Sequence, residues 1–256
     1  KKKNKNIILE NISVTDYAAE GKAIARIDGK VIFISGAVPG DTADIMLTKN
    51  KKDWAEARAL RITVPAPDRV VPFCKHFGIC GGCKWQMLPY EKQLQYKQQE
   101  AEQNLKRIGK VELPEIMPII GCGNSAHYRN KLEFTFSNKR FLTSDEIGSE
   151  NVVAQQDALG FHVPRIFDKV IDIEECYLMN EVNNRIRNTT RAFALENNFT
   201  FYDIRQHTGW LRNIIIRLCT TGELMVNICL NYEEETDRKK LFDHLLKQVP
   251  EITTLL

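Results

Sequence analysis

The chain has 256 residues, 43% hydrophobic and 27% charged, and its net charge of +3 is unevenly spread: residues 1–69 carry 13 Lys/Arg against 9 Asp/Glu, residues 70–130 carry 8 against 5, and residues 131–256 carry 15 against 19. The length suggests two domains with room for a proper core, and the composition excludes intrinsic disorder, a collagen repeat and a disulfide-framework miniprotein. No apolar run approaches the roughly 18–20 residues of a membrane span, and the start Lys1-Lys2-Lys3-Asn4-Lys5 has no apolar segment behind it, so a soluble, cytoplasmic chain without membrane contact is expected.

Residues 7–64 read as short apolar strands at 7–9, 23–27, 31–34 and 42–47, punctuated by Asp28-Gly29, Ser35-Gly36 and Pro39-Gly40-Asp41. Asp28-Gly29 between strands is a two-residue hairpin signal, because Gly accepts the positive φ such turns need. About five strands in a stretch this short suggest a small barrel of oligonucleotide-binding type. Lys49, Lys51, Lys52 and Trp54 fall in one loop; they read either as a solvated loop beside a core Trp or as cations and a stacking ring for nucleic acid. Pro65-Ala66-Pro67-Asp68 reads as a rigid linker, placing a domain boundary between 1–67 and 68–256. Residues 89–108 have helix signals: Pro89 at the start, Lys106-Arg107 in the last turn and Gly109 as the stop. The apolar seam of this helix is narrow, so it is expected to dock outside its own domain. A strand-rich stretch follows at 111–172, then a helix over 178–197, then an antiparallel meander of strands at 199–205, 211–218 and 224–230. A last helix covers 235–247, and residues 252–256 begin another strand. The fold class is therefore multidomain: a β-barrel followed by an α+β domain with an antiparallel sheet.

Cys74-Lys-His-Phe-Gly-Ile-Cys80-Gly-Gly-Cys83 is the most specific feature. In a reducing compartment these thiols are not read as disulfides. Zinc sites usually use paired Cys-x₂₋₄-Cys knuckles, and here only Cys80 and Cys83 form one. Three clustered thiolates plus a distant fourth suit a cubane iron–sulfur cluster better, although zinc or plain structural cysteines stay open. The fourth ligand would be Cys122 or Cys176, with Cys176 favoured at a strand-to-helix junction; Cys219 and Cys229 read as small core residues. Gly121-Cys-Gly-Asn-Ser-Ala126 matches a phosphate-binding fingerprint but leads into a strand, so it is set aside. His76, His162, His207 and His244 have no paired carboxylate or nucleophile at readable spacing and read as surface or core histidines. In His127-Tyr128-Arg129-Asn130-Lys131, two cations and two rings in five residues can grip phosphate and stack on a base, or can be an ordinary strand edge.

Taken in order, the barrel pattern (Gly21-Lys-Ala-Ile-Ala, Val31-Ile-Phe-Ile-Ser-Gly, Val38-Pro-Gly-Asp41), Cys-x₅-Cys-Gly-Gly-Cys, the Gln-rich helix, Tyr128-Arg-Asn-Lys131, Ile171-Asp-Ile-Glu-Glu-Cys176 and Leu211-Arg-Asn-Ile-Ile-Ile-Arg217 resemble the AdoMet-dependent RNA (uracil-5-)-methyltransferases, in the iron–sulfur branch acting on 23S ribosomal RNA. The resemblance implies a TRAM-type barrel and a 4Fe–4S cluster on Cys74, Cys80, Cys83 and Cys176. It makes ribosomal RNA the expected partner, with the chain expected as a monomer; the RNA contacts expected at Lys49, Lys51, Lys52, Trp54, His127, Tyr128, Arg129 and Lys131 come from the residue pattern described above.

Members of that family continue into a Rossmann-like domain. It holds the AdoMet loop, a Cys that adds to uracil C6 and a Glu that removes the C5 proton. No position here matches these, so no catalytic or AdoMet-binding residue is assigned in this chain. The expectation is a chain cut before its catalytic domain, with helix 89–108 facing the missing part; AdoMet would bind only the full-length enzyme. The alternative is a stand-alone zinc- or cluster-stabilised RNA-binding module. A radical-AdoMet enzyme is disfavoured, because its three cysteines need an x₃ then x₂ spacing.

Overall fold

The computed structural model describes residues 7–147 and 156–256. The basic run at residues 1–5, and residues 148–155 of the expected strand-rich stretch, lie outside the described residues. Two compact units result: residues 1–78 with 83–123, and residues 79–82 with 124–256.

In the first unit, β1 (Ile8–Ser13), β2 (Asp16–Ala18), β3 (Lys22–Ile27), β4 (Lys30–Ser35), β5 (Thr42–Asn50) and β6 (Trp54–Val64) form one sheet in the order β1-β5-β6-β4-β3-β2. Every pairing is antiparallel except β4 with β6. Period-two alternation sends Ala23, Ala25, Ile32, Ile34, Ala43, Ile45, Ala55 and Ala57 into one buried cluster. So many alanines let the sheet curl round a narrow core. Register shifts along β5 and β6 bend that long ribbon. Asp28 and Gly29 both have positive φ, 49° and 79°, as the two-residue hairpin turn requires.

The expected linker is anchored. Asp41 is 1% exposed and accepts hydrogen bonds from the Val38 and Ala66 N–H groups at 2.8 and 2.9 Å and from Arg69 at 2.6 Å. Ala66 is buried with Val38, Met87 and Leu88, so the proline pair runs along the barrel unit and the compact units divide elsewhere. α1 (Tyr90–Gln103) continues as a wider turn at Asn104–Ile108 and buries no residue fully. Within its own unit it is fixed by Tyr96, stacked on Tyr17 with centroids 4.9 Å apart, and by a Lys92–Asp68 ion pair at 2.9 Å. Residues 111–130 contain no strand. Pro114 and Pro118 cannot donate to a ladder, and the segment is tied to α1 by N–H donation from Ile119 to Gln98 and from Cys122 to the Tyr90 hydroxyl.

In the second unit, β7 (Lys131–Ser137), β8 (Ala158–His162), β9 (Val170–Asp172), β10 (Leu211–Leu218), β11 (Leu224–Leu230) and β12 (Thr254–Leu255) form a sheet in the order β12-β11-β10-β7-β8-β9. Only β11 with β12 is parallel. The short helix α2 (Ser144–Ile147) and the longer α3 (Val182–Glu196) and α4 (Glu235–Gln248) complete the unit.

The expected three-strand meander is corrected at its first strand. Residues 199–205 make only isolated bridges, Phe201 with Leu211 and Asp203 with Thr208, and the second neighbour of β10 is β7. Turn chemistry outweighs the apolar pattern there, because the Asp203 carboxylate accepts the N–H groups of Arg205 and Gln206 at 2.8 and 3.1 Å. α3 starts later than expected for a similar reason. Asn180 accepts the Val182 N–H at 3.1 Å, and the Asn183 amide donates back to the carbonyls of Cys176, Met179 and Asn180, holding the preceding residues in a tight turn.

Candidate functional site

The lysines expected in a loop lie on a hairpin tip. Lys49 is the second-last residue of β5, exposed Lys51 and Lys52 form the turn, and Trp54 opens β6. The Lys49 ammonium sits 4.6 Å from the Trp54 ring centroid, and Phe33 meets the same ring edge-on at 6.4 Å. The Lys51 N–H donates to the Trp54 carbonyl at 2.9 Å, closing the turn. The β3–β4 turn comes alongside: the Val31 N–H donates to the Asp53 carbonyl, and Lys30 donates to the Asn50 side chain. Lys30 is the residue that spacing missed, since it is 19 positions before Lys49 in sequence and joins the patch only through sheet topology. Four cations beside a half-buried ring make a surface that attracts phosphate and offers a stacking face.

All seven cysteines are outside any disulfide. Cys74 and Cys83 belong to the first unit, Cys80 and Cys176 to the second. Among the described residues no group of three or more His, Cys, Asp or Glu side chains is placed to hold a metal ion. In the second unit the 79–82 segment is tightly fitted. The Gly82 N–H donates to Cys80 Sγ at 3.3 Å. A Cβ on Gly82 would lie 3.4 Å from that sulfur and 3.8 Å from Leu178, and one on Gly81 would meet Pro164 at 3.2 Å. Leu178 stands two residues beyond Cys176, so Gly82 packs beside the turn that follows Cys176.

Cys176 is 7% exposed. Its N–H donates to Asn184 Oδ1 at 2.8 Å, and the same oxygen accepts Arg187 Nη2 at 3.0 Å. Arg187 is fully buried. It also donates to the Ile173 carbonyl at 2.8 Å and to Asn183 Oδ1 at 3.2 Å, and it lies over Phe134 at 4.9 Å. Burial pulls its pKa down to about 10, and the Cys176 sulfur is the foremost group pulling it back up. Arg187 is thus a buried cation supported by neutral acceptors. Nothing in the sequence separates Arg187 from the other arginines of its helix.

His127, Tyr128, Arg129 and Lys131 are exposed on one segment leading into β7. The His127 and Arg129 N–H groups each donate at 2.7 Å, to the carbonyls of Tyr177 and Leu178, and His127 Nδ1 lies 2.9 Å from the Met179 carbonyl. The segment is thus fastened to the turn after Cys176. Cys122 is exposed and lies in the first unit; Cys219 is exposed rather than core, while Cys229 is half-buried and its thiol pKa is raised by burial. The discarded fingerprint at 121–126 opens no helix.

Comparison with known proteins places these features. Residues 10–60 match the TRAM domain model. The chain is 50% identical over 242 residues to an uncharacterized RNA methyltransferase of Bacteroides thetaiotaomicron, covering 93% of this chain and 53% of that protein. It is 42% identical to one of Porphyromonas gingivalis (96% and 54%) and 39% identical to one of Chlorobaculum tepidum (94% and 50%). The crystal structure of Pyrococcus abyssi tRNA (uracil-54, C5)-methyltransferase in complex with S-adenosyl-L-homocysteine aligns with a TM-score of 0.59 at 23% identity, over 91% of this chain and 49% of that chain. Residues 10–60 are thus similar to a TRAM domain, an α+β unit follows them, and the fold is like that of the aligned crystal structure. The chain spans about half the length of the curated relatives it matches.

Proposed function

We propose that this chain is the RNA-binding, cluster-bearing part of an AdoMet-dependent uridine C5-methyltransferase acting on 23S ribosomal RNA. The observation that carries the reading is the 50% identity, over 93% of the chain, to an RNA methyltransferase. The TRAM match and the lysine–tryptophan tip support RNA as the partner. In the whole protein AdoMet supplies the methyl group. The reaction class is nucleophilic catalysis on a uridine drawn out of its stack. The residues of this chain contribute binding: Lys49, Lys51, Lys52 and Trp54 on the barrel, and His127, Tyr128, Arg129 and Lys131 on the second unit.

A 4Fe–4S cluster would be held by Cys74, Cys80, Cys83 and Cys176. The donor set suits it, being all thiol, with an N–H already directed at one sulfur and a buried guanidinium to offset the negative charge of four thiolates. When bound, it supplies a cross-link among segments distant in sequence. Protein purified without oxygen should be coloured and should contain iron and acid-labile sulfide, both lost in Cys176→Ser. A colourless preparation loaded with zinc would overturn the cluster. Absence of 5-methyluridine in RNA treated with the full-length protein and AdoMet would overturn the enzymatic reading.

A further inference from the structure

Outside these groups the second unit holds a cavity of about 290 Å³ lined by side chains of β7, β8 and β10 and of the irregular turn before β10. Its chemistry is one-sided. His162, Tyr202, His207, Arg212, Asn213 and Ser137 supply two imidazoles, a phenol, a guanidinium, an amide and a hydroxyl, and no carboxylate lines it. The Arg212 guanidinium lies 4.6 Å from the Tyr202 ring centroid and has no carboxylate within 4.0 Å among the described residues. The Tyr202 hydroxyl and His207 Nδ1 are 3.0 Å apart. His162 Nδ1 is buried and makes no hydrogen bond, a loss that structures avoid unless something else meets the group.

The wall is rigid. Asp203 draws the turn together by accepting the Arg205 and Gln206 N–H groups and Lys139 Nζ, the last at 2.8 Å. His207 is held at φ 56°. Gly209 sits at φ 95°, where a Cβ would lie 2.3 Å from the Phe201 carbonyl oxygen. Left-handed backbone at a bulky residue is retained where the surroundings over-determine it.

We infer that this cavity takes one unstacked nucleotide of single-stranded RNA, the base against Tyr202 and the imidazoles and the phosphate on Arg212. The volume admits one base with its sugar. A flat ring beside a guanidinium with no acidic partner is the chemistry that recognises a splayed nucleotide, and His162 Nδ1 can bond to a base edge. The inference rests on the RNA-binding reading, and the test keeps the two apart.

Uridine 5′-monophosphate is titrated into the chain while the imidazole nitrogens of His162 and His207 are followed by NMR. A labelled five-uridine oligonucleotide is titrated by fluorescence anisotropy into wild type, Arg212→Gln, His162→Leu and Lys51→Ala/Lys52→Ala. The expected result is a shift of both imidazoles and a roughly tenfold weaker oligonucleotide affinity in Arg212→Gln, the effect of losing one stacked base or phosphate contact. Arg212 is exposed and His162 Nδ1 is unbonded, so both variants should fold, as amide spectra will show. If the lysine variant weakens binding while Arg212→Gln and His162→Leu do not, and the imidazoles stay still, the cavity inference fails and the RNA reading stands. If the imidazoles shift but the oligonucleotide does not bind, the RNA reading fails and a nucleotide site remains. If neither responds, both fall.

Discussion

Replacing Arg187 by alanine should destabilise the second unit by about 4 kcal/mol. The side chain donates hydrogen bonds to Ile173, Asn183 and Asn184 at 2.8, 3.2 and 3.0 Å. Bonds from charged donors contribute about 1.5–3 kcal/mol each. Set against their sum is the relief of several kcal/mol on no longer burying a cation. Three neutral acceptors left unmet at about 1–3 kcal/mol each, with the space vacated by the side chain, bring the net to about 4 kcal/mol. Arg187→Met loses the guanidinium over Phe134 and leaves the same acceptors unmet but fills most of the vacated space, so it should lose less, about 2 kcal/mol. The assay is hydrogen exchange at the amides of Ile214 and Ile216, buried in β10 at the centre of the sheet. At about 1.4 kcal/mol per tenfold, alanine should cut their protection nearly a thousandfold and methionine by ten- to a hundredfold. A loss below about 1 kcal/mol for alanine, the size of an ordinary surface change, would refute the reasoning that these bonds organise the Cys176 turn.

Other substitutions test the fold locally. A Cβ at Gly160 would lie 2.0 Å from the Ile171 carbonyl oxygen, so Gly160→Ala must part β8 from β9 and should cost about 3 kcal/mol in thermal unfolding; an unchanged Tm would contradict the register. Gly29→Ala meets nothing within 4 Å but keeps φ 79°, and should cost only about 1 kcal/mol. The Asp203 carboxylate is held well below the usual carboxylate range, chiefly by Lys139. Its contribution is therefore present above the unfolded-state value near 4 and is lost as pH falls further through the folded-state value. Asp203→Asn should flatten the acid limb of a pH–stability curve below about pH 4, and an unchanged limb would refute that assignment.

The barrel was legible because its signals are local. Alternation places Ala23, Ala25, Ile32 and Ile34 on one face, Asp28-Gly29 supplies the turn, and β3 and β4 lie within a residue of expectation. The failures come from side chains that capture backbone. Asp203 converts an apolar strand pattern into a turn, Asn180 and Asn183 delay α3, and Asp41 pins the segment read as a linker. The Asp203 and Asn180 captures are local and compete with the apolar pattern over two or three residues, whereas Asp41 reaches Ala66 25 residues away, which spacing cannot foresee. The lysine tip was legible as composition, but Lys30 joins it only because the two hairpin turns are adjacent. The cavity around Tyr202 was not legible, since its residues come from four separate segments and its histidines have no motif of their own.

The most direct test of the account is the salt dependence of RNA affinity. For single-stranded RNA, log K falls with log salt by about 0.7 for each phosphate contacted. The wild-type chain should show a steep slope, and Lys51→Ala/Lys52→Ala a weaker affinity with a slope shallower by about 1.4 for two lost contacts. A wild-type affinity insensitive to salt, or a slope that the two substitutions leave unchanged, would contradict it.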